Sequence, residues 1–343
     1  MSGTGIVRDD LFIQHNMGSW HPESPERLKS IYRMIDFGRH PNLVTLEQRM
    51  ASREEITLVH RPHHFDKIAQ TEGQPHTVLD ADTSTCGESH PAALAAAGGL
   101  ISLTEKVLAG ELENGFALVR PPGHHAEAGR AMGFCLFNNV AVAAANAVQV
   151  KGLNRVMIVD WDLHHGNGTQ HSFYDDPRVL YISTHQYPHY PGTGNLGEQG
   201  RGQGLGYNIN VPLAWGHNDS DFISIFQKIV LPVGRMFRPE LILVSAGFDI
   251  HKNDPLGDML VSNQGFGAMA RLLKDLAKEV CGGRLVFTLE GGYFVEGQTE
   301  GVANVLDVLT GIDNISRDLA YQDLPEPEIV QKVRRMFANF WLL

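Results

Sequence analysis

The sequence has 343 residues, of which 43% are hydrophobic and 20% charged, and it includes 36 glycines and 17 prolines. This composition excludes a disordered or fibrous chain and is typical of a globular protein with many turns. The formal net charge of −11 argues against broad attraction to nucleic acid and slightly favours cationic substrates. Three cysteines without a CxxC pair exclude a disulfide framework and a thiolate zinc finger, so a metal site must use histidine and carboxylate ligands.

The sequence lacks the usual signals of membrane insertion or secretion. No apolar run reaches the roughly 18 residues of a membrane helix, and residues 1–10 lack a basic segment followed by an apolar one. We therefore expect a cytoplasmic protein without a membrane partner. No linker divides the chain, and we expect a single domain over residues 1–343, with its core at about 10–312. The C-terminal tail is 313–343, and its apolar end, Phe337–Leu343, is expected either to pack internally or to form a contact in a homo-oligomer.

The predicted elements alternate between short apolar strands and longer helices. Near the start, Ser24, Pro25 and Glu26 form a helix-start pattern, with the Ser24 hydroxyl as the N-cap of a helix ending near Asp36. Strands are expected at Phe116–Val119, Val156–Asp160, Val179–Ser183, Leu241–Ser245 and Leu285–Leu289. Helices are expected at Pro91–Ala109, Asn138–Lys151, Asp219–Phe237, Gln264–Val280 and Gly297–Thr310. This alternation predicts an α/β fold with a mainly parallel central sheet and helices on both faces.

Polar clusters follow four of the predicted strands immediately. They lie at Arg120–Glu127, Asp160–Gly168, Ser245–Asp249 and Glu290–Tyr293. Because ligands bind at the carboxyl ends of parallel strands, we expect the four clusters to meet in one crevice. Segment 186–208, with seven glycines and two prolines, is long enough to form a wall of that crevice.

A metal site is predicted within these clusters. If strand geometry persists, Asp160, Asp162 and His164 point to one side of the chain. Adding Asp249 gives the ligand set Asp162, His164 and Asp249, which leaves open positions for water and substrate on a catalytic ion. Asp160 is then available to support a neighbouring side chain. A DxDxH stretch alone is equally compatible with a solvated strand end or a capped helix start, but the matching clusters favour the metal site.

The remaining polar residues favour hydrolysis. His124 and His125 could be ordinary loop histidines, but beside a metal-bound water one imidazole can remove a proton and return it to a leaving amine. Each histidine needs an orienting partner, for which Asp160 and Asn167 are candidates. Tyr293 follows a Gly-Gly turn and either packs as an aromatic residue or donates a hydrogen bond to the oxyanion of a tetrahedral intermediate. Together these groups favour metal-assisted amide hydrolysis.

Six sequence blocks resemble the histone deacetylase superfamily. They are HPESPER at 21–27, RPPGHHAE at 120–127, GFCLFNN at 133–139, DWDLHHGNGTQ at 160–170, SAGFDIHKNDPLG at 245–257 and LEGGY at 289–293. The resemblance spans roughly residues 10–312, and the blocks are highly specific in combination. It implies the arginase/deacetylase-like α/β fold.

The resemblance also implies a function for each candidate site residue. It implies one catalytic Zn²⁺ on the three-ligand set, with the histidine pair serving the bound water and Tyr293 polarising the acyl carbonyl. Phe134 and Tyr190 are expected to line a narrow acyl-lysine tunnel. Gly133 and Leu256 belong to the same substrate-binding set, with Asp82 as the rim acid. A K⁺ ion is expected near Asp160, Asp162, His164 and Ser183.

The sequence restricts the identity of the substrate less than it restricts the type of reaction. Members of the superfamily that this sequence resembles act on acetylated lysine in proteins or on acetylated polyamines. The polyamine-selective members carry acidic residues at the mouth of the tunnel. One such branch has Glu after the Asp-Pro pair, where this sequence has Leu256. We therefore expect an acyl-lysine or general acyl-amine substrate, with acetylpolyamine hydrolysis as the alternative. Some branches of the superfamily carry Asp at the position of Asn167. With Asn at this position, the sequence is similar to the class II group and to bacterial deacetylase-like amidohydrolases.

Two other functions on the same scaffold are less favoured. A two-metal ureohydrolase of the arginase type needs a second Asp two residues after Asp249, where this sequence has His251. A non-catalytic binding protein is expected to have lost a ligand or the tyrosine, and none is lost. The ligand set is also compatible with Fe²⁺ or Co²⁺ in place of Zn²⁺.

Overall fold

A computed structural model of the protein describes residues 3–40, 42–312 and 315–343. The strands, in chain order, are β1 (Thr4–Val7), β2 (Leu43–Thr45), β3 (Thr77–Val78), β4 (Ser84–Thr85), β5 (Asn114–Ala117), β6 (Val156–Asp160), β7 (Val179–Gln186), β8 (Asn208–Leu213), β9 (Leu241–Ala246) and β10 (Leu285–Leu289). Eight of them form one parallel sheet in the order β2-β1-β5-β10-β9-β6-β7-β8. Strands β3 and β4 form a separate antiparallel pair.

Helices cover this sheet. In chain order they are α1 (Leu11–Gln14), α2 (Glu26–Asp36), α3 (Arg53–Ile56), α4 (Pro62–Ala69), α5 (Ser89–Leu108), α6 (Asn139–Gln149), α7 (Asn167–Ser172), α8 (Asp219–Ile225), α9 (Leu231–Phe237), α10 (Asn263–Cys281), α11 (Val295–Thr310), α12 (Ile315–Ala320) and α13 (Glu328–Phe337). A π-helical turn, Phe226–Val230, joins α8 to α9. Helix α5 packs against α6, and α10 packs against α11. With helices on both faces, the six inner strands are buried along their length, which confirms the predicted fold class.

The register of the sheet aligns the strand ends that carry the polar clusters. Asp160 at the end of β6 pairs with Ser183 of β7 on one side and with Ser245 of β9 on the other. Ser245 in turn pairs with Thr288 of β10. Because the strands are parallel, the chain leaves β6, β9 and β10 at the same edge of the sheet. The predicted convergence of the clusters follows from this register.

The predicted boundary of β5 is wrong by two residues. Asn114 and Gly115 open this strand although both residue types are poor strand formers, because the strand is held between β1 and β10. Strands β1, β2 and β8 were not predicted at all. Strand β8 contains Pro212, which an edge strand tolerates. Since β1 lies between β2 and β5, the sheet includes residues that precede the expected core boundary at about 10.

The expected Ser24 cap of helix α2 is also wrong. The helix begins at Glu26 with Pro25 in the N-cap position, and no side-chain hydrogen bond caps it. Ser24 instead accepts a hydrogen bond through its backbone carbonyl from the Arg27 amide, at 3.2 Å. The helix ends at Asp36 as predicted.

Helix α5 is long and apolar enough, by length and composition alone, to cross a membrane. In the fold it packs against α6, β1 and β5, and 67% of its most apolar window is buried inside the molecule. Gly99 permits the close approach to β1, since a Cβ atom there would lie 2.6 Å from Val7 Cγ1. The apolar composition of α5 is therefore accounted for by packing within the protein.

The C-terminal segment packs internally, one of the two alternatives considered for it. Phe337 is fully buried, and Trp341 donates from Nε1 to the Gly206 carbonyl at 2.8 Å. The Trp341 ring lies 5.7 Å from that of Tyr207, centroid to centroid. Leu342, by contrast, remains 89% exposed.

Candidate active site

A cavity of 370 Å³ opens at the carboxyl edge of the sheet. Its lining consists of Asp82, Pro122, His124, His125, Gly133, Phe134, His164, His189, Tyr190, Pro255, Leu256, Gly291 and Tyr293. The lining includes every residue that the sequence placed in substrate binding. His189 was not expected individually, but it lies in the loop that was expected to wall the crevice.

The three metal ligands predicted from the sequence lie together below this cavity. One ligand atom each from Asp162, His164 and Asp249 lies within 4.8 Å of the others, and all three residues are buried. His164 Nδ1 is 3.2 Å from Asp162 Oδ1 and 3.2 Å from Asp249 Oδ2. The spacing matches a set of three donors around one ion.

Short turns after β6 aim two of these ligands at one point. Asp160 Oδ1 accepts a hydrogen bond from the Asp162 amide at 3.1 Å, and Asp162 Oδ1 accepts one from the His164 amide at 2.9 Å. The strand ends at Asp160, so strand alternation does not continue as the sequence suggested. The two Asx-type turns still keep the three polar residues apart from Trp161 and Leu163, which are buried in the core.

The surroundings of this cluster fit a cation. The amides of Leu163 and Gly291 donate to Asp249 Oδ1 and Asp162 Oδ2, each at 2.8 Å, which leaves Asp162 Oδ1 and Asp249 Oδ2 toward His164. A Cβ atom at Gly291 would lie 2.2 Å from Asp249 Oδ2, so glycine leaves room for the carboxylate. Burial, together with repulsion from Asp162, raises the pKa of Asp249 to about 7. Buried carboxylates this close together favour a bound divalent ion.

His124 and His125 lie side by side, with 4.0 Å between their ring centroids. His124 Nδ1 is 3.0 Å from Asp160 Oδ2, and His125 Nδ1 is 2.8 Å from Asn167 Oδ1. Burial opposes the charged form of His124, but the nearby carboxylates, Asp162 foremost, outweigh burial and raise its pKa to about 10. Burial and the neighbouring His124 hold the pKa of His125 well below its usual range. The two rings of the pair are therefore shifted in opposite directions, the pKa of His124 upward and that of His125 downward.

Two contacts fix the loop that carries Tyr293. Asp254 Oδ2 accepts hydrogen bonds from the amides of Tyr293, at 2.6 Å, and Phe294, at 3.1 Å. Arg27 donates from Nε to the Gly292 carbonyl at 2.6 Å, and its guanidinium carbon lies 5.1 Å from the centroid of the Tyr293 ring. Burial raises the pKa of Tyr293 well above its usual range, so the phenol remains a hydrogen-bond donor.

The cavity wall contains an aromatic residue in the left-handed backbone region. Phe134 has φ of 68° and follows Gly133 with φ of 56°. This region is disfavoured for a bulky side chain and persists only where neighbouring groups hold it. The Gly133 amide donates to Asp82 Oδ1 at 3.1 Å, and the Phe134 amide donates to Thr83 Oγ1 at 2.9 Å. The expected rim acid Asp82 thus also holds the wall in place.

The match of this sequence to a known protein family agrees with the geometry of the candidate active site. A family model described as "Histone deacetylase domain" matches residues 21–309. The chain belongs to the histone deacetylase family. The resemblance carried by the six sequence blocks is thereby confirmed.

Relatives in this family come from archaea, plants and animals. "Probable deacetylase" of Archaeoglobus fulgidus is 41% identical over 86% of this chain and 82% of its own length. "Polyamine deacetylase HDAC10" of Homo sapiens is 42% identical over 84% of this chain and 44% of its own length. The crystal structure of the HDA15 HD domain superposes with a TM-score of 0.92 at 38% identity, over 99% of this chain and 95% of that one.

The chain is shorter than several family members. It spans 54% of "Histone deacetylase 5" of Arabidopsis thaliana, which is 38% identical over 98% of this chain. It spans 63% of "Histone deacetylase 15" of the same plant, at 39% identity. The likeness therefore covers the deacetylase domain of these larger proteins.

Sequence reasoning missed the support that Glu290 gives to the histidine pair of this histone deacetylase domain. Glu290 Oε2 accepts hydrogen bonds from the amides of Gly123, at 2.7 Å, and His124, at 3.2 Å. Its other oxygen accepts one from Ser245 Oγ at 2.9 Å. Burial raises the pKa of Glu290 to about 7. The only available signal was a lone carboxylate directly after a buried strand.

A buried ion-pair network was also missed. Glu23 accepts hydrogen bonds from Arg27 Nη1, at 2.9 Å, and from Arg120 Nη2, at 2.7 Å, and all three side chains are fully buried. Arg27 also donates from Nη2 to the Glu290 carbonyl at 2.5 Å. Arg120 begins the segment that carries the histidine pair. Glu23 therefore joins that segment to the loop that precedes Tyr293.

Two further ions bear on the function: a second catalytic metal, which only the ureohydrolase alternative needs, and the expected K⁺. Within residues 3–40, 42–312 and 315–343 there is one group of three or more potential metal ligands. His251, at the position where a ureohydrolase needs a second Asp, instead stacks on Phe294 with 5.3 Å between ring centroids. Ser183 Oγ lies 2.9 Å from His185 Nδ1, and K⁺ near Ser183 stays a prediction.

The Glu23→Ala substitution tests the buried network. Removing this carboxylate leaves Arg27 and Arg120 buried without their counter-charge. We expect the free energy of unfolding to fall by about 3–5 kcal/mol, the usual cost of breaking a buried ion pair. Urea unfolding followed by circular dichroism measures the change.

Glu279→Ala is the control for this experiment. Glu279 pairs with Arg235 at 3.0 Å, but both side chains are about half exposed. Its removal should cost no more than about 1 kcal/mol, as is usual for a surface ion pair. Equal costs for the two substitutions would contradict a stabilising network at Glu23.

Proposed function

We propose that this chain is a zinc-dependent deacetylase that hydrolyses the amide of an acylated lysine side chain. The observation that carries the proposal is the cluster of Asp162, His164 and Asp249 beneath a cavity walled by Phe134 and Tyr190. Membership of the histone deacetylase family and the deacetylase names of its relatives support the reaction class.

The ligand set supports the choice of ion. Two carboxylates and one imidazole belong to the donor types that Zn²⁺ uses at catalytic sites. When bound, the ion supplies a Lewis acid that polarises the amide carbonyl and lowers the pKa of water. Asp160 takes no part in this set, because its Oδ2 lies 3.0 Å from His124 Nδ1 and accepts a hydrogen bond from the Tyr181 hydroxyl at 2.9 Å.

His125 is assigned the proton transfers. Its Nδ1 donates to Asn167 Oδ1, which leaves the lone pair of Nε2 on the cavity side of the ring. Because its pKa is held low, Nε2 is free to accept a proton from the attacking water and then deliver it to the leaving amine. His124, whose Nδ1 lies 3.0 Å from Asp160 Oδ2, is assigned to stabilise the negative charge that develops as water attacks.

Tyr293 is assigned to the carbonyl oxygen. Its phenol keeps its proton at neutral pH, and the loop that carries it is held by Asp254 and Arg27. A preorganised donor of this kind stabilises the oxyanion of the tetrahedral intermediate more than the neutral carbonyl. The hydrogen bond therefore contributes chiefly to turnover and little to substrate binding.

The cavity wall supports an acyl-lysine substrate. The rings of Phe134 and Tyr190 both line the cavity, and an unbranched apolar chain fits between aromatic walls. Leu256 lines the cavity at the position where a polyamine-selective branch carries an acid, so this position offers no charge to a cationic tail and Asp82 is the one acid in the lining. Acetylpolyamine hydrolysis is the second candidate, supported by 42% identity to a polyamine deacetylase.

An exposed tryptophan beside the opening supports a peptide substrate. Trp20 is 98% exposed. The next residue, His21, packs edge-on against Phe134 with 4.6 Å between ring centroids, and its Nε2 lies 3.2 Å from the Asp82 carbonyl. Because His21 packs against the cavity wall, we infer that the neighbouring Trp20 is close enough to the opening for the residues that flank an acyl-lysine to contact its ring.

Asp249→Ala tests the metal site. We expect one tightly bound transition metal per parent chain, and loss of both metal and activity in the variant, because two donors remain where three held the ion. Elemental analysis of the purified proteins measures this. Asp258→Ala is the control, since this exposed carboxylate bonds Gln186 and is not a ligand. Two tightly bound metals per chain would favour the ureohydrolase instead.

Tyr293→Phe tests the oxyanion donor while keeping the ring. We expect kcat to fall by roughly 10²- to 10³-fold with little change in substrate affinity. Tyr190→Phe is the matched control and should leave kcat within a few-fold of the parent. If Tyr293→Phe, with its metal content verified, lowers kcat by no more than about threefold, the tyrosine only packs, because a lost oxyanion donor costs far more.

A substrate panel tests the acyl-lysine assignment. We expect a higher kcat/KM for acetyl-lysine peptides than for acetylated polyamines, because the cavity wall presents Leu256 in place of an acid. Steady-state kinetics on both substrate classes measure the ratio. A higher kcat/KM for acetylated polyamines would favour acetylpolyamine hydrolysis, the second candidate function.

The same panel tests the tryptophan at the rim. Trp20→Ala should raise KM for the peptides by about fivefold, roughly 1 kcal/mol of lost apolar contact, and leave KM for a small acetylated amine unchanged. Phe37→Ala is the control, because Phe37 is 89% exposed but lies at the far end of helix α2. An equal effect of Trp20→Ala on both substrates would exclude a peptide contact.

A further inference from the structure

We propose that Glu127 is a positioning residue, which fixes the orientation of the Asn167 side-chain amide and thereby the protonated nitrogen of His125. The inference rests on the proposed function, because it gives Glu127 a part in the same proton transfer. Glu127 does not line the cavity, so any effect on the reaction must pass through another residue.

Asn167 lies between Glu127 and His125 and bonds both. Its Nδ2 donates to Glu127 Oε1 at 2.5 Å and to the His125 backbone carbonyl at 3.2 Å. On the other side, its Oδ1 lies 2.8 Å from His125 Nδ1. A carboxylate and a backbone carbonyl only accept hydrogen bonds, so the amide nitrogen must face them. The amide oxygen must then face the histidine ring.

This orientation decides which nitrogen of His125 carries the proton. Because the amide oxygen only accepts, His125 Nδ1 must donate, and in the neutral ring Nε2 then holds the lone pair. The reversed amide would present Nδ2 to His125 Nδ1. The ring would then need its proton on Nε2, the nitrogen that has to accept a proton from water. The reversed orientation therefore removes the base.

Glu127 is well placed to prevent the reversed orientation. A hydrogen bond to a carboxylate is stronger than one to a neutral carbonyl or a thioether, and the Glu127 contact is also the shortest of the three that Asn167 Nδ2 makes, the third being to Met132 Sδ at 3.6 Å. Contacts of both its side chain and its backbone hold Glu127 itself. His171 Nδ1 lies 2.8 Å from the same Oε1, and the Glu127 amide donates to the Arg130 carbonyl at 2.9 Å.

An aspartate at position 167 would not need this help. Both oxygens of a carboxylate accept hydrogen bonds, so either orientation would serve His125 Nδ1. An asparagine amide presents its acceptor oxygen to His125 Nδ1 in one orientation and its donor nitrogen in the other. The dependence on Glu127 is thus a consequence of the amide at this position.

Glu127→Met and Glu127→Gln test the proposal in the metal-loaded protein with an acetyl-lysine peptide. Methionine keeps the length of the side chain but offers no comparable acceptor, and we expect kcat to fall by about tenfold with KM almost unchanged. Glutamine retains an acceptor oxygen and should restore kcat to within about threefold of the parent. Glu279→Met makes the same substitution at a surface ion pair that does not line the cavity, and it should leave kcat within about twofold.

A double-mutant cycle with Asn167→Asp separates positioning from general damage. In the Asn167→Asp background, Glu127→Met should leave kcat unchanged or raise it, because the carboxylate at 167 has no wrong orientation and is repelled by the Glu127 carboxylate. An equal loss in both backgrounds, or a parental kcat in Glu127→Met, overturns the proposal. Thermal unfolding is recorded for each variant, and Glu127→Ala replaces Glu127→Met in the cycle if the latter does not fold. A parent without turnover contradicts the proposed function, whereas turnover that is insensitive to Glu127 contradicts only this inference.

Discussion

Four carboxylates, Asp160, Asp162, Asp249 and Glu290, are buried together at the carboxyl edge of the parallel sheet. A buried carboxylate is unfavourable unless hydrogen bonds or an opposite charge compensate it. Backbone amides satisfy some of their oxygens, and His124 and His164 satisfy others. The raised pKa values of Asp249 and Glu290 show that this compensation is incomplete. The need for a further positive charge at this edge makes the cluster suitable for a metal ion.

The centre of the site could be predicted because its signals are local in sequence. Asp162 and His164 lie two residues apart directly after a buried strand, and a strand end is a place where polar side chains gather in parallel sheets. Only one non-local step was required, the convergence of two strand ends, and it brought Asp249 into the set. Asp160 and Asn167, the partners of His124 and His125, lie in the same sequence block as Asp162 and His164. Tyr293 was found because a Gly-Gly turn at a strand end delivers the residue that follows it.

The supporting residues could not be predicted from these patterns. Glu23 and Glu127 bond residues on other segments, and nothing next to them in the sequence marks a carboxylate that meets an arginine or an asparagine across the fold. Strands β1 and β2 were missed for a related reason, because three or four residues are too few for a periodic pattern. The boundary of β5 was misplaced because tertiary pairing overrides the poor strand propensity of Asn114 and Gly115.

The order of the strands has a consequence for the way the chain folds. Thr4 pairs with Asn114, and Gly115 pairs with Val286, so neighbours in the sheet are far apart in the chain. Contacts of such high sequence separation slow folding, because long loops must close before the pairing stabilises them. During synthesis, β5 lacks its inner neighbour until the residues of β10 have left the ribosome. A nascent chain that has not reached this point exposes unpaired strand edges, which are open to association with other chains and suited to binding by chaperones.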